Sequence, residues 1–375
     1  MRVVITNTAL ENRAGTELYV RDLAYGLKQR GHTALVYSER LGGLAEELRA
    51  MGIEVVDDLT TLASPPDLIH GHHHLSTMTA LLAFPRTPAI FVCHGPEIWQ
   101  EEPPLFPRIK YYVAVDRACE QRILQKGIDA AQVRLIHNFV DLHRFKQRPP
   151  LPDNPRRALI FSNQACTATH EPAVRGACRR AGISVDIVGS AAHRVSEAPE
   201  SILGGYDLVF AKAKAAWEAL AVGAAVILCD AAGVGPMVTT RNLDELRAFN
   251  FGVRCLNQPL HPFAITQQLA QYDSRDAADV CRHIRAGADV NLAVDALIQL
   301  YEKTLAEHRL SPAGEPAEEE MFVARYLRDL DKAVCAFERD AVRFQSVQHS
   351  RSWTLFSKYV SFKQRVLPSI GKSGS

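Results

Sequence analysis

Apolar residues along this 375-residue chain fall in short runs separated by turn residues and by longer stretches of helical period. The opening shows the pattern: Val3-Val4-Ile5-Thr6, then a polar loop Asn12-Arg13-Ala14-Gly15-Thr16-Glu17, then a helical Leu18-Tyr19-Val20-Arg21-Asp22-Leu23-Ala24. Gly31-His32 closes that helix, and a second apolar run, Ala34-Leu35-Val36-Tyr37, follows at once. This strand–loop–helix–strand unit is the kind that builds a parallel sheet. Strand candidates recur at 2–6, 33–38, 53–56, 67–70, 88–93, 111–115 and 133–137, with helical patterns at 16–30, 43–51, 75–83 and 116–126. Short apolar runs bounded by turns are what strands buried on both faces look like. A proline-rich polar stretch, Lys146 to Pro155, reads as a stiff linker. Beyond it the pattern restarts, with strands at 157–162, 184–188, 206–210 and 224–229 and helices at 171–181 and 213–222; helices dominate 261–307. The fold class is therefore α/β: two Rossmann-like domains (1–145 and 157–307, joined by 146–156) facing a cleft, plus a helical tail over 308–375. In open parallel sheets ligands bind outside the carboxyl ends of the strands, which makes the cleft the expected site.

The tail has a different period. Apolar residues at 323, 327, 330, 334, 337, 341 and 344 are spaced alternately four and three apart. That is a heptad over three repeats, suited either to a helix packed on its own domain or to a homodimeric coiled coil through 321–345. Residues 351–375 hold Arg351, Lys358, Lys363, Arg365 and Lys372 and no acidic residue, with Trp353, Phe356, Tyr359 and Phe362 among them. Such a basic aromatic stretch suits the headgroup region of an anionic leaflet, here peripheral contact with the inner membrane; a flexible or domain-packed terminus is the other reading.

Composition narrows the classes. A content of 47% hydrophobic and 23% charged residues belongs to a soluble globular protein, and a net charge of +1 argues against a nucleic-acid partner. The eight cysteines form no CxxC pair and several sit inside apolar runs, so they read as buried hydrophobes in a reducing compartment. No signal peptide precedes the first strand and no run is long enough to span a bilayer, so a cytoplasmic protein is expected.

Three clusters at strand ends carry candidate chemistry. His70, His72, His73 and His74 raise the question of a metal. Neighbouring loop residues rarely converge on one ion, however, and no cysteine or carboxylate partners are evident, so no metal site is assigned; a strand that ends in a polar, hydrogen-bonding loop at the cleft is expected instead. His94, in Cys93-His94-Gly95, caps an apolar strand and can donate to a hydroxyl or stabilise developing charge. Glu218, in Trp217-Glu218-Ala219-Leu220, lies in the first half of a helix, where a carboxylate can accept hydrogen bonds from ribose hydroxyls. Gly233-Val234-Gly235-Pro236 follows the next strand and can bring backbone N–H groups to a phosphate. The Gly15 loop is not GxGxxG, so a nicotinamide cofactor is not favoured.

Taken together, these segments resemble the bacterial GT-B glycosyltransferases of the family 4 group. The Gly15 loop, Leu27 to His32, Asp67 to His72 and Cys93-His94-Gly95 follow the family's N-terminal pattern. His137-Asn138-Phe139-Val140-Asp141-Leu142-His143-Arg144-Phe145 resembles its interdomain signature, and Glu218 to Gly223 its donor-domain segment, so that the likeness covers about 1–307. The resemblance implies donor binding by Glu218 at the ribose, by Gly189 in the base-contacting segment, and by Gly15, Thr16, Gly233, Val234 and Gly235 at the phosphates or sugar. It also implies contact between His94 and the transferred sugar, an acceptor near His70, His72 and Glu97, and no catalytic metal or cofactor beyond a UDP- or GDP-linked sugar substrate.

The chain departs from the pattern at Phe210, where the family has a Glu, and at Ser162-Asn163-Gln164, where it has an Arg and a Lys. Lys212 or Lys214 would then supply the leaving-group charge, with Lys212 placed in the catalytic set beside His94. The expected activity is sugar transfer, of retaining type by family likeness, from a nucleotide sugar to a saccharide or lipid-linked acceptor in bacterial surface-polysaccharide synthesis. A non-catalytic nucleotide-sugar-binding or assembly subunit is the alternative, and an epimerase on the same fold the third.

Overall fold

The computed structural model describes residues 1–310 and 316–350, together with 353, 355 and 358. Seven apolar runs of the first half form one parallel sheet. Its strands are β1 (Arg2–Thr6), β3 (Thr33–Tyr37), β5 (Glu54–Val56), β6 (Leu68–His72), β7 (Ala89–Cys93), β8 (Ile109–Ala114) and β9 (Val133–Leu135), in the order β5-β3-β1-β6-β7-β8-β9. Two short strands, β2 (Ala9–Leu10) and β4 (Arg40–Leu41), pair separately. The connecting helices are α1 (Gly15–Gln29), α2 (Gly43–Ala50), α3 (His74–Ala83) and α4 (Arg117–Gln125). α1 presents Tyr19, Val20, Leu23, Ala24 and Leu27 to the interior at helical spacing, and Gly31, at φ 76°, turns the chain out of it.

The second sheet contains β10 (Arg157–Phe161), β11 (Ser184–Val188), β12 (Leu208–Ala211), β13 (Ala225–Asp230) and β14 (Gly233–Met237), in the order β11-β10-β12-β13-β14. Alternate residues of its strands feed two cores. Leu159, Val209, Val226 and Leu228 pack on Trp217 and Leu220 of α7 (Ala213–Val222). Ala158, Ile160, Phe210 and Ile227 pack on α5 (Glu171–Arg180) and on α9 (Pro262–Leu269). The short α6 (Pro199–Ile202) and α8 (Leu243–Ala248), and the longer α10 (Ser274–Gly287), complete this half.

β14 corrects the sequence reading of Gly233-Val234-Gly235-Pro236 as a phosphate-facing loop. The segment is an antiparallel edge strand, where proline is tolerated. Val234 exchanges both backbone hydrogen bonds with Gln258 at 2.9 Å. A Cβ on Gly233 or Gly235 would meet the Gln258 or Cys255 carbonyl oxygen at 2.7 or 2.5 Å, so the glycines serve close backbone packing.

α11 (Val290–Leu310) leaves the second half and returns to the first. Val294 packs against Gly26 of α1 and Asp295 pairs with Arg30 at the end of that helix, while Tyr301 reaches His70 of β6. The two crossings between halves are joined: Val140 N–H donates to Ala288 O, and Val290 N–H donates to Val140 O.

Residues 105–107 and the described residues from 316 onward form a separate compact unit. Within it α12 (Pro316–Gln348) is one continuous helix, and Leu327, Val334, Phe337 and Phe344 of the heptad series are each more than 40% exposed. Apart from 353, 355 and 358, the basic stretch 351–375 lies outside the described residues. No described helix is long and apolar enough to cross a membrane.

Candidate active site

A cavity of about 280 Å³ opens at the carboxyl ends of strands of the second sheet and faces the start of α1. The first half contributes Arg13, Ala14, Gly15, Leu18 and Arg21. The second contributes the turn after β10 (Ser162-Asn163-Gln164), Gly189 after β11, the start of α7 and Asp230 at the end of β13. α1 begins with Ala14 extended and no side-chain cap, so its first N–H groups remain available to an acceptor. Gly189 is required by sterics, because a Cβ there would overlap the Ser162 carbonyl oxygen.

Glu218 stands in the second turn of α7, only 3% exposed, with its carboxyl on the cavity. It has no hydrogen-bond partner among the described residues. Burial pushes its pKa up to about 7; Lys214 and Arg21 pull it down and Asp22 pushes it further up. α7 starts from strained backbone: Ala213 sits at φ 48° and is held there by its N–H bond to Phe251 O.

Five cations line this space, and each meets a carboxylate. Lys212 pairs with the buried Asp230 at 2.5 Å. Lys214 lies 3.2 Å from Asp22 and also donates to Phe139 O at 2.9 Å. Arg21 binds Asp22 through Nε and Nη2, at 2.9 and 2.5 Å, and reaches Glu47. Arg13 also pairs with Glu47, and Arg144 with Glu200. Burial would raise Asp22, yet Lys214 and Arg21 together hold it below the usual carboxylate range. A second cavity of about 930 Å³ shares Arg13, Arg21 and Arg144 and adds Tyr25, Asp141 and Glu197.

The structure brings Gly15, Gly189, Lys212 and Glu218 onto one cavity. Thr16 lies beside it, donating to Glu17. Gly233, Val234 and Gly235 are not on its lining. The histidines differ most from expectation. β6 runs past the expected end at 70 to His72, so His72 as well as His70 projects from the strand, and both are fully buried. His70 Nδ1 lies 2.5 Å from Tyr301 OH and His72 Nδ1 lies 2.7 Å from His94 Nε2. Neither has surface to offer an acceptor, which corrects that assignment. Glu97 lies exposed on the loop after β7.

His94 is half-buried and does not line the first cavity. Its backbone N–H donates to Glu101 Oε2 at 2.9 Å, and Tyr19, one turn along α1 from Gly15, packs edge-on against its ring. Arg13, Arg21 and Arg144 were missed as cavity residues by sequence reasoning. Arg13 and Arg144 stand in motifs quoted above, but no spacing reveals that a loop, a helix and an interdomain segment converge.

Residues 13–144 match the model of Glycosyltransferase Family 4. A comparison with curated protein sequences finds no match. Among solved structures, the chain is similar to a glycosyltransferase from Rickettsia africae (TM-score 0.61, 15% identity, 81% of this chain and 98% of that one). It is also similar to Anabaena Alr3699/HepE in complex with UDP (0.59, 15%, 81% and 100%). A further likeness is to a UDP-N-acetylglucosamine 2-epimerase described as putative, from Listeria monocytogenes (0.53, 12%, 84% and 98%). The chain therefore has the GT-B fold, and its residues 13–144 are similar to glycosyltransferase family 4.

Proposed function

We propose that the protein is a glycosyltransferase that moves a sugar from a UDP- or GDP-linked donor to a saccharide or lipid-linked acceptor, without a metal or cofactor. The observation that carries this reading is Glu218: a buried carboxyl on the cavity, lacking a hydrogen-bond partner among the described residues. Leaving such a group unsatisfied is unfavourable, and a ribose diol supplies the two donors it lacks. A diphosphate beside it would face the N-terminus of α1 at Gly15, with Arg13, Arg144 and Lys212 around it. These cations come from positions other than the Arg and Lys that Ser162-Asn163-Gln164 replaces, and they would stabilise charge on the departing nucleoside diphosphate. His94 would donate to the transferred sugar. The likeness to HepE, whose structures include a complex with UDP-glucose, supports a nucleotide-sugar ligand.

Bacterial surface-polysaccharide assembly is the proposed setting, at the inner face of the cytoplasmic membrane, with 351–375 as the membrane contact. The exposed apolar series of α12 supports pairing with a second copy through 321–345. A second reading, a non-catalytic nucleotide-sugar-binding subunit, is favoured by Phe210 in the core and by the Lys212–Asp230 pair, which already occupies the lysine charge. Thermal-shift titration with UDP, GDP and their sugar conjugates tests binding, and release of nucleoside diphosphate on adding acceptor tests transfer. Stabilisation lost in Glu218→Ala, with release, supports the enzyme; stabilisation without release supports the binder; no stabilisation overturns both.

A further inference from the structure

His72 is buried in β6 and its ring lies edge to edge with that of His94, with centroids 4.8 Å apart and planes at 26°. The 2.7 Å contact between His72 Nδ1 and His94 Nε2 requires one N–H and one lone pair. Burial holds both imidazoles below their ordinary range, His94 at about 4, so both are neutral near pH 7 and each carries one ring proton. Two arrangements are possible. If His94 donates from Nε2, the single proton of His72 must sit on its own Nε2, which is buried and has no partner among the described residues. If His72 donates from Nδ1, its Nε2 is a bare lone pair and the proton of His94 sits on Nδ1. A buried N–H without an acceptor is rarer than a buried acceptor without a donor, so the second arrangement is favoured.

The surroundings fix both rings. Tyr19 of α1 packs edge-on against His72 and His94, at 5.2 and 4.7 Å between centroids. His70, itself held by Tyr301 of α11, lies against His72 at 4.6 Å between centroids. Glu101 accepts the His94 backbone N–H and is steadied by His73 Nε2 at 3.3 Å. This carboxylate thus engages the His94 main chain and not its ring.

We propose that His72 is a positioning residue that donates from Nδ1 to His94 Nε2, so that His94 keeps its proton on Nδ1, the nitrogen left without a hydrogen bond among the described residues. The inference deepens the reading of His94 as the group that meets the transferred sugar, on which it rests, and it says which nitrogen would do so: Nδ1–H, as a hydrogen-bond donor. His72, assigned from sequence to the acceptor, thereby acts through another residue.

The test is the two-bond ¹⁵N–¹H correlation spectrum of the histidine rings in the full-length protein at pH 7, with the His94 signals assigned by their loss in His94→Ala. The expected spectrum has His94 Nδ1 protonated and Nε2 unprotonated. His72→Leu removes the donor, and His94 should then move its proton to Nε2. His72→Asn, whose amide NH₂ sits near the position of Nδ1, should keep the wild-type pattern. A wild-type spectrum with Nε2 protonated overturns the proposal, as does His72→Leu leaving the pattern unchanged. Should the leucine variant fail to fold, the wild-type and His72→Asn spectra still decide. These spectra need no ligand, so a failure of the nucleotide-sugar reading would show only in the titrations above and leave this result standing.

Discussion

Replacing Glu218 with glutamine should make the protein more stable, and the gain should depend on pH. The carboxyl is almost fully buried and lacks a hydrogen-bond donor among the described residues, which raises it from 4.5 to about 7. Between those values the folded chain keeps a proton that the unfolded chain has released. Stability therefore falls as pH rises through this window, and the full penalty is present above about pH 7. A shift of this size corresponds to about 3 kcal/mol, at 1.36 kcal/mol per unit. The amide introduced by Glu218→Gln does not titrate, so the stability difference between variant and wild type should grow by most of that amount from pH 5 to pH 8. For a unit of this size the growth amounts to a Tm difference of about 4 °C. Differential scanning fluorimetry of both proteins across that range reads it directly. A difference that stays flat from pH 5 to pH 8 would refute the reasoning, because it would mean that the carboxylate is already solvated or paired.

Other substitutions probe neighbouring features. Lys214→Met removes one of the two cations on buried Asp22 and should cost about 2 kcal/mol by denaturant titration, less than loss of a sole partner because Arg21 remains. Gly189→Ala drives a Cβ into the Ser162 carbonyl and should cost about 3 kcal/mol, seen as a lowered urea midpoint. Phe210→Glu, which introduces the residue of the resembled family, should lower stability by ~4 kcal/mol without creating activity, since residue 210 faces the core between β12 and α5; a stable, more active variant would contradict that placement. Arg144→Ala should weaken UDP about tenfold by calorimetry while leaving uridine unchanged, as expected for a charge-assisted phosphate contact.

The two sheets were legible because most of their central strands are buried on both faces. Such strands appear as apolar runs, and the shorter or half-exposed β5, β9 and β11 were found by their place between turns and helical stretches; all seven of the first sheet and four of the second fall where expected. β14 was not, because Gly-Val-Gly-Pro carries turn chemistry; only its pairing with β13 and Gln258 makes it a strand. β6 was cut short for the opposite reason: histidine reads as polar, yet His70 and His72 are strand residues covered by aromatic side chains of α1 and α11. Glu218 lies on the cavity to which its own segment pointed, and so does Gly189, whose segment carried no motif of its own. Arg21 and the ion pairs around Asp22 were not legible, because Lys214 and Asp22 are 192 positions apart and nothing in a helical period links them. The His72–His94 contact falls in the same class, joining neighbouring strands whose register only the folded sheet defines.

The bridge between Val140 and the 288–290 segment has a mechanical consequence. A single linker between two bodies lets them bend, twist and slide, whereas two linkers laced side by side behave as a strap. A strap flexes about the line across its width and resists rotation about its length. Movement of the second half against the first would then follow one arc, which carries α7, with Lys214 and Glu218, toward or away from Asp22 and Arg21 on α1. On that arc the buried Lys214–Asp22 pair is the contact that such a movement would have to break or remake.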